Sequence, residues 1–197
     1  MRPISLTRLG LSALALSLCC SCAQLDRALH AGKRRTEQIK GAMTGGRAGY
    51  WDDEKARGPA RIVVDLGEQR AFFYKGRKLI GRSTISTGRK GYETPPGRYF
   101  VIQKDADHTS SLYGDYVSET GTIVQANVDV RKQPRPAGAE FRGAPMPYFL
   151  RFTGAYGMHA GYVPRYQASH GCIRMPRAMA RRFYHAAKLG TPVLVRE

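Results

Sequence analysis

The sequence predicts a mainly β domain of the sandwich type with one short helix near its C-terminal end. Two observations predict it: short runs of branched and aromatic residues alternate with turn signals, and a single late segment has helical spacing. Residues 61–66 (Arg-Ile-Val-Val-Asp-Leu) read as the first strand, closed by Gly67-Glu68. Residues 71–74 and 79–80 follow, joined through the turn Lys75-Gly76-Arg77, so the domain opens on a hairpin. A strand over 83–87 ends at Gly88, the turn-rich stretch 91–97 carries Pro95-Pro96-Gly97, and residues 98–102 return to strand. Residues 105–121 are polar and tyrosine-bearing and are expected as a surface excursion, with a second loop over 133–143. Residues 148–152 (Tyr-Phe-Leu-Arg-Phe) are a strand. Pro176 opens a helix through Lys188, with Met179, Phe183, Ala186 and Ala187 at helical spacing and Gly190 as its stop. Residues 193–195 form the last strand. There is no internal repeat and no low-complexity segment.

The first 22 residues read as a targeting signal. Arg2 and Arg8 form a basic region, and the apolar run over 9–18 is far shorter than the about twenty residues a membrane-spanning helix needs. The cluster Cys19-Cys20-Ser21-Cys22 follows. An apolar run ending in small residues and a cysteine resembles the lipobox of bacterial lipoproteins, with Cys22, or alternatively Cys19, as the lipidated residue. An ordinary secretory signal is the competing reading; both take the chain out of the cytoplasm, to the cell envelope or periplasm. Residues 23–58, broken by Gly41, Gly45, Gly46 and Gly49, are expected as a flexible tether, and residues 59–197 as the folded domain.

The chain carries 32 Lys and Arg against 15 Asp and Glu, a net charge of +17. A basic protein suits nucleic acid, anionic lipid or an acidic polymer. Export argues against nucleic acid, and the cations are scattered along the chain and form no basic arm.

Cys172 is the only cysteine outside the leader. An unpaired thiol in an oxidising compartment is a liability unless it is used, which makes Cys172 a candidate nucleophile. It sits in Ser169-His170-Gly171-Cys172-Ile173-Arg174. In extended backbone His170, Cys172 and Arg174 share one face, setting an imidazole and a guanidinium beside the thiol. An ordinary thiol is only about 3% thiolate at neutral pH; a pKa lowered to ~6 makes that roughly 90%. His159 lies thirteen residues before Cys172, flanked by Gly157 and Gly161, a spacing that suits a strand, a loop and a return. Cysteine acyl transfer needs a base within reach and donors for the oxyanion. Either histidine can be the base, and the amides of Gly171 and Cys172 can supply the oxyanion site. Zinc held by His159, His170 and Cys172 is a minor alternative with no fourth ligand at sensible spacing. Tyr113, Tyr116, Tyr148, Tyr162 and Tyr166 either line a groove or pack strands, and His185 falls in the helix.

From about residue 60 to 196 the chain resembles the L,D-transpeptidase catalytic domain, or YkuD, family. That family's pattern is a histidine, a spacer, Ser/Thr-His-Gly-Cys, an apolar residue, and Arg or Asn. Here it reads His159 followed by Ser169-His170-Gly171-Cys172-Ile173-Arg174. Ser86-Thr87-Gly88, then Thr94-Pro95-Pro96-Gly97-Arg98-Tyr99, and the ending Gly190-Thr191-Pro192-Val193 match as well. The spacer from His159 to Ser169 is shorter than in the best-known members, which implies a different lid over the site.

The resemblance implies a peptidoglycan stem peptide as substrate. Cys172 would attack the carbonyl joining the third stem residue to the D-alanine in fourth place, forming a thioester that a neighbouring stem's side-chain amine converts to a 3→3 cross-link. It implies His159 as general base, His170 shaping the pocket, Gly171 in the oxyanion region, Arg174 holding the motif or a substrate carboxylate, and Ser169 orienting His170. No metal, organic cofactor or ATP is implied, and carbapenems are implied as covalent inhibitors. The alternatives are an L,D-carboxypeptidase with water as acceptor, an enzyme joining a protein amine to the wall, and a non-catalytic wall-binding lipoprotein.

Overall fold

The computed structural model describes residues 49–197 except Lys55 and Arg165. The expectations for the leader, for lipidation at Cys19 or Cys22 and for most of the tether lie outside the described residues.

The branched runs form strands because side chains on a pleated backbone alternate between a buried and an open face. In β2 (Ala60–Asp65) Ile62 and Val64 are buried while Arg61 is exposed; in β3 (Arg70–Lys75) Ala71 and Phe73 are buried. Antiparallel pairing joins β2 to β3 and β3 to β4 (Lys78–Thr84). The chain end returns as β13 (Pro192–Arg196), parallel to β2 and antiparallel to β5 (Gly97–Phe100). The sixth strand of this sheet is β1 (Gly49–Trp51), at the free edge of β4. A second sheet has the order β12 (Ile173–Met175), β11 (Tyr156–Ala160), β10 (Phe149–Thr153), β6 (Gln103–Asp105). One apolar core is shared by both sheets and by the helix α1 (Arg177–Ala186), with Ile62, Phe73, Ile80, Leu150, Met158, Ile173, Phe183 and Val195 all nearly solvent-free. The helix turns Met179, Ala180 and Phe183 inward, and in its first turn the amides of Met179 and Ala180 both donate to the Pro176 carbonyl. The mainly β class with a single helix among the described residues is therefore observed.

Two expectations are corrected. The folded unit begins before residue 59: β1 lies inside the expected tether. It is held there because Trp51 packs on Phe73 at 5.4 Å and Phe183 at 5.7 Å between ring centroids. Gly81 makes the room, since a Cβ there would meet the Trp51 ring. The stretches 105–121 and 133–143, expected as loops, hold most of a third sheet. Its order is β8 (Ile123–Asp129), β7 (Thr109–Val117), β9 (Glu140–Pro145). Its own core is small, with Tyr116, Val128 and Ala139 at the centre. Backbone pairing carries it, at close approach where Gly114 and Gly143 meet neighbouring carbonyls.

Candidate active site

Parallel strands need a crossover, and the one between β11 and β12 is built from residues 161–172. It sets His159 directly opposite Arg174 and Met158 opposite Ile173, so Cys172 arrives at the mouth of the pair beside the His159 strand. The motif before β12 is not extended as expected. Gly171 has φ +112°, and a Cβ there would lie 2.7 Å from the Tyr156 ring. Glycine is required to make this bend. Ser169 closes it: its hydroxyl donates to the Cys172 carbonyl (2.5 Å) and accepts from the Gly171 amide (3.0 Å). That amide, expected among the oxyanion donors, is therefore already committed. Ser169 orients the cysteine bend, not His170.

The upstream motif is the mould for this bend. Ser86 exchanges two backbone hydrogen bonds with Arg174, and the Ser169 amide donates to the Thr87 carbonyl at 3.0 Å. Buried Thr94 accepts from the Gly88 amide (3.0 Å) and donates to the Gly171 carbonyl (2.7 Å). Gln69 holds Thr87 through both its amide and its hydroxyl.

Cys172 is partly buried, and its thiol donates to the Ala155 carbonyl at 3.5 Å. Burial pushes the thiol pKa up; the Gly157 amide and the charges of Arg151 and Arg174 pull it down but do not win. His159 is buried, and its Nδ1 donates to the Ala160 carbonyl at 2.9 Å. The proton therefore sits on Nδ1, which leaves Nε2 with its lone pair. Burial lowers the imidazole to about 4; Ala160 opposes this, while Arg174 and His108 add to it. The resting pair is a neutral thiol with a neutral imidazole, not the thiolate expected from neighbouring positive charge. Desolvation outweighs the nearby cations because protein surrounds much of the half-buried Cys172 side chain, while both cations keep some contact with water.

His170 is placed differently. Arg89 donates to its Nε2 at 2.7 Å, occupying the lone pair a base needs. Its ring stacks on Tyr113 (4.4 Å) and meets the Tyr92 edge (4.9 Å), and burial with Arg89 and Arg174 keeps it neutral. The guanidinium at Nε2 is also a poor setting for a zinc ion, and no three metal-ligating side chains converge among the described residues.

These groups line one cavity of about 790 Å³ that holds Cys172, His159, His170, Ser169 and Arg174 together. Its cationic lining is Arg131, Lys132, Arg151 and Arg174, with no carboxylate among the lining residues. Half-buried Arg174 has no carboxylate partner among the described residues, and burial lowers its pKa. The third sheet supplies one wall. Arg131 donates to the Tyr113 hydroxyl at 2.7 Å and Lys132 to that of Tyr92 at 3.1 Å, bracing the two rings that hold His170. Arg131 is itself fixed on Asp129, whose carboxyl it holds down at about 2. Of the expected groove tyrosines, Tyr113 and Tyr162 line the cavity. Tyr116 lies in the small core, Tyr148 packs on Tyr184 and on His185 of the helix, and Tyr166 is exposed. Sequence reasoning missed Arg89, Tyr92, His108, Arg131, Lys132 and Arg151, which come from other elements.

Residues 59–195 match the model of the L,D-transpeptidase catalytic domain. None of the curated proteins matches the chain. Among solved structures the chain is similar to an Enterococcus faecium L,D-transpeptidase with a cysteine-to-serine substitution (24% identity, TM-score 0.53, 71% of this chain and 50% of that one). It is similar to the L,D-transpeptidase from Mycobacterium smegmatis (16%, 0.54, 71% and 59%). It is also similar to the L,D-transpeptidase LdtMt1 in complex with imipenem (17%, 0.52, 70% and 58%). At these identities the likeness is one of fold, and the chain spans between half and three fifths of the length of those proteins. The family model covers most of this chain, and every residue lining the cavity lies within the matched range. The chain belongs to the L,D-transpeptidase catalytic-domain family.

Proposed function

We propose that this protein is a peptidoglycan L,D-transpeptidase that works by cysteine acyl transfer. One observation carries the reading: the Cys172 thiol and the His159 imidazole, whose Nδ1 is committed to the Ala160 carbonyl, line the same cationic, carboxylate-free cavity. Such a cavity suits a peptide bearing free carboxylates, as a tetrapeptide stem does at its diamino acid and its terminal D-alanine.

The Cys172 thiol gives its proton to His159 Nε2 as the sulfur attacks the carbonyl of the third stem residue. Because thiol and imidazole are both neutral at rest, the proton moves only as the sulfur bonds carbon. The C–N bond to the terminal D-alanine then breaks, and His159 returns the proton to the departing amine. The thioester keeps the energy of the broken bond, so ATP is not consumed. A side-chain amine of a second stem attacks it, giving a 3→3 cross-link and the free thiol. Arg174 lines the cavity with no carboxylate partner among the described residues and takes a substrate carboxylate; His170 with Arg89 and the two tyrosines shapes the wall. No metal or organic cofactor is needed.

Carbapenems would acylate the same sulfur, a reading supported by the related structure that holds imipenem. The protein acts in the cell envelope, anchored by lipid on Cys22 or Cys19, which the mass of the mature chain from its native host reports directly. Purified disaccharide-tetrapeptide incubated with the protein tests the function, beside a Cys172→Ala control. The expected product, absent from the control, is a dimer lacking one D-alanine. Tripeptide monomer alone would replace this reading with the carboxypeptidase, and unchanged substrate would overturn it in favour of a binding role.

A further inference from the structure

The cavity contains an acid–base group that the acylation half-reaction leaves unused. His108, in the turn between β6 and β7, lines the cavity with Cys172 and His159. Its Nδ1 donates to the Asp105 carboxylate at 3.0 Å, so its Nε2 is the nitrogen that carries the lone pair. The ring is fixed by stacking on Phe149 at 4.3 Å and 15°, and Phe149 in turn sits 6.3 Å from the His159 ring. A backbone bond from the Met146 amide to the His108 carbonyl (2.7 Å) ties this turn to the end of β9. A histidine fixed by a carboxylate at one nitrogen, with no hydrogen-bond partner for the other among the described residues, has the arrangement of a general base.

Resting on the transpeptidase reading, we infer that His108 is the base that deprotonates the incoming acceptor amine. The need is chemical. An alkyl amine of the lysine type has an ordinary pKa of about 10.4 and enters as an ammonium ion with no lone pair to attack. Of its three N–H hydrogens the amide keeps one, and two must go. His108 Nε2 takes the first before attack, and Asp105 stabilises the imidazolium that results. The freed amine attacks the thioester carbon, forming the C–N bond. His159 takes the second proton as the C–S bond breaks, and passes it to the departing Cys172 sulfur. His108 then releases its proton to solvent. His159 is occupied with the second transfer, so the first falls to a separate group lining the same cavity. Asp105 is a positioning residue that acts through His108.

Two nucleophiles of different basicity separate this role from a structural one. The full-length protein and its His108→Gln variant are given disaccharide-tetrapeptide, with and without hydroxylamine, which is already neutral at pH 7.5. The variant is expected to lose about a hundredfold in cross-linked dimer while its tripeptide hydroxamate stays within about threefold of wild type. Asp105→Asn is expected to lower dimer about tenfold with the same sparing of hydroxamate. Dimer and hydroxamate falling together would overturn the inference in favour of a packing role, as would a variant that makes dimer at the wild-type rate. Hydroxamate formation by the variant also reports that it is folded. A wild-type protein that makes neither product would instead defeat the transpeptidase reading, and this inference with it.

Discussion

Lowering the pH from 7 to 4.5 asks the unfolded chain, but not the folded one, to charge residue 159. The ordinary imidazole value is 6.5, and burial holds His159 at about 4 in the folded domain. Between those values the unfolded state binds the proton more tightly, so stability is present above 6.5 and is lost as pH falls through the window towards 4. The gap of 6.5 − 4 corresponds to roughly 3 kcal/mol in full, at 1.36 kcal/mol for each pH unit. By pH 4.5 about 2 kcal/mol of it has gone, a sizeable share of the 5–15 kcal/mol typical of a domain. Urea denaturation at pH 7 and pH 4.5 measures it, in wild type and in His159→Gln, whose amide stays neutral throughout. The other carboxylates and histidines titrate in both proteins and cancel in the double difference. Wild type should lose about 2 kcal/mol more than the variant on acidification. Equal losses would refute the argument that this imidazole is kept neutral by burial.

Three further outcomes follow from the same geometry. Gly171→Ala forces a side chain into φ +112° and against the Tyr156 ring, so it should cost about 1–3 kcal/mol in urea titrations and abolish turnover. Thr94→Val keeps the shape but strands the buried Gly88 amide and Gly171 carbonyl. It should lower stability by about 2–5 kcal/mol and reduce kcat more than it raises KM, because the bend carrying Cys172 loosens. Iodoacetamide alkylation of Cys172, followed by mass, should keep accelerating above the ordinary thiol midpoint of about 8.5. The reason is that burial raises this thiol, and a rate that levels off below pH 7 would show a preformed thiolate.

The parts of the fold legible in the sequence are those where apolar residues alternate. Ile62 and Val64, Ala71 and Phe73, Leu150 and Phe152, and Val193 and Val195 mark strands by their own chemistry. The Gly49–Trp51 strand escapes notice because it is short and follows a glycine-rich stretch; only Trp51 hints that something there is buried. The third sheet is illegible for a different reason. Its strands bury little, so their order lies in backbone pairing that Ser110, Ser111 and Gly114 do not announce. In the site, Ser169 to Arg174 and His159 are close in sequence and carry a specific pattern. Arg89 reaches His170 across 81 residues, a contact set by the crossover between parallel strands and by no local signal. Charge beside Cys172 is visible in the sequence; the burial that outweighs it is not, because enclosure is a property of the assembled cavity.

The most direct test of the central claim is the intact mass of the protein after brief mixing with tetrapeptide stem, compared with His159→Gln and Cys172→Ala. The account predicts that wild type gains the mass of the stem less one D-alanine, as a thioester mapped to the peptide carrying Cys172. Cys172→Ala should gain nothing, and His159→Gln should acylate at least about a hundredfold more slowly. An adduct that forms on Cys172→Ala, or at an undiminished rate without His159, would contradict it.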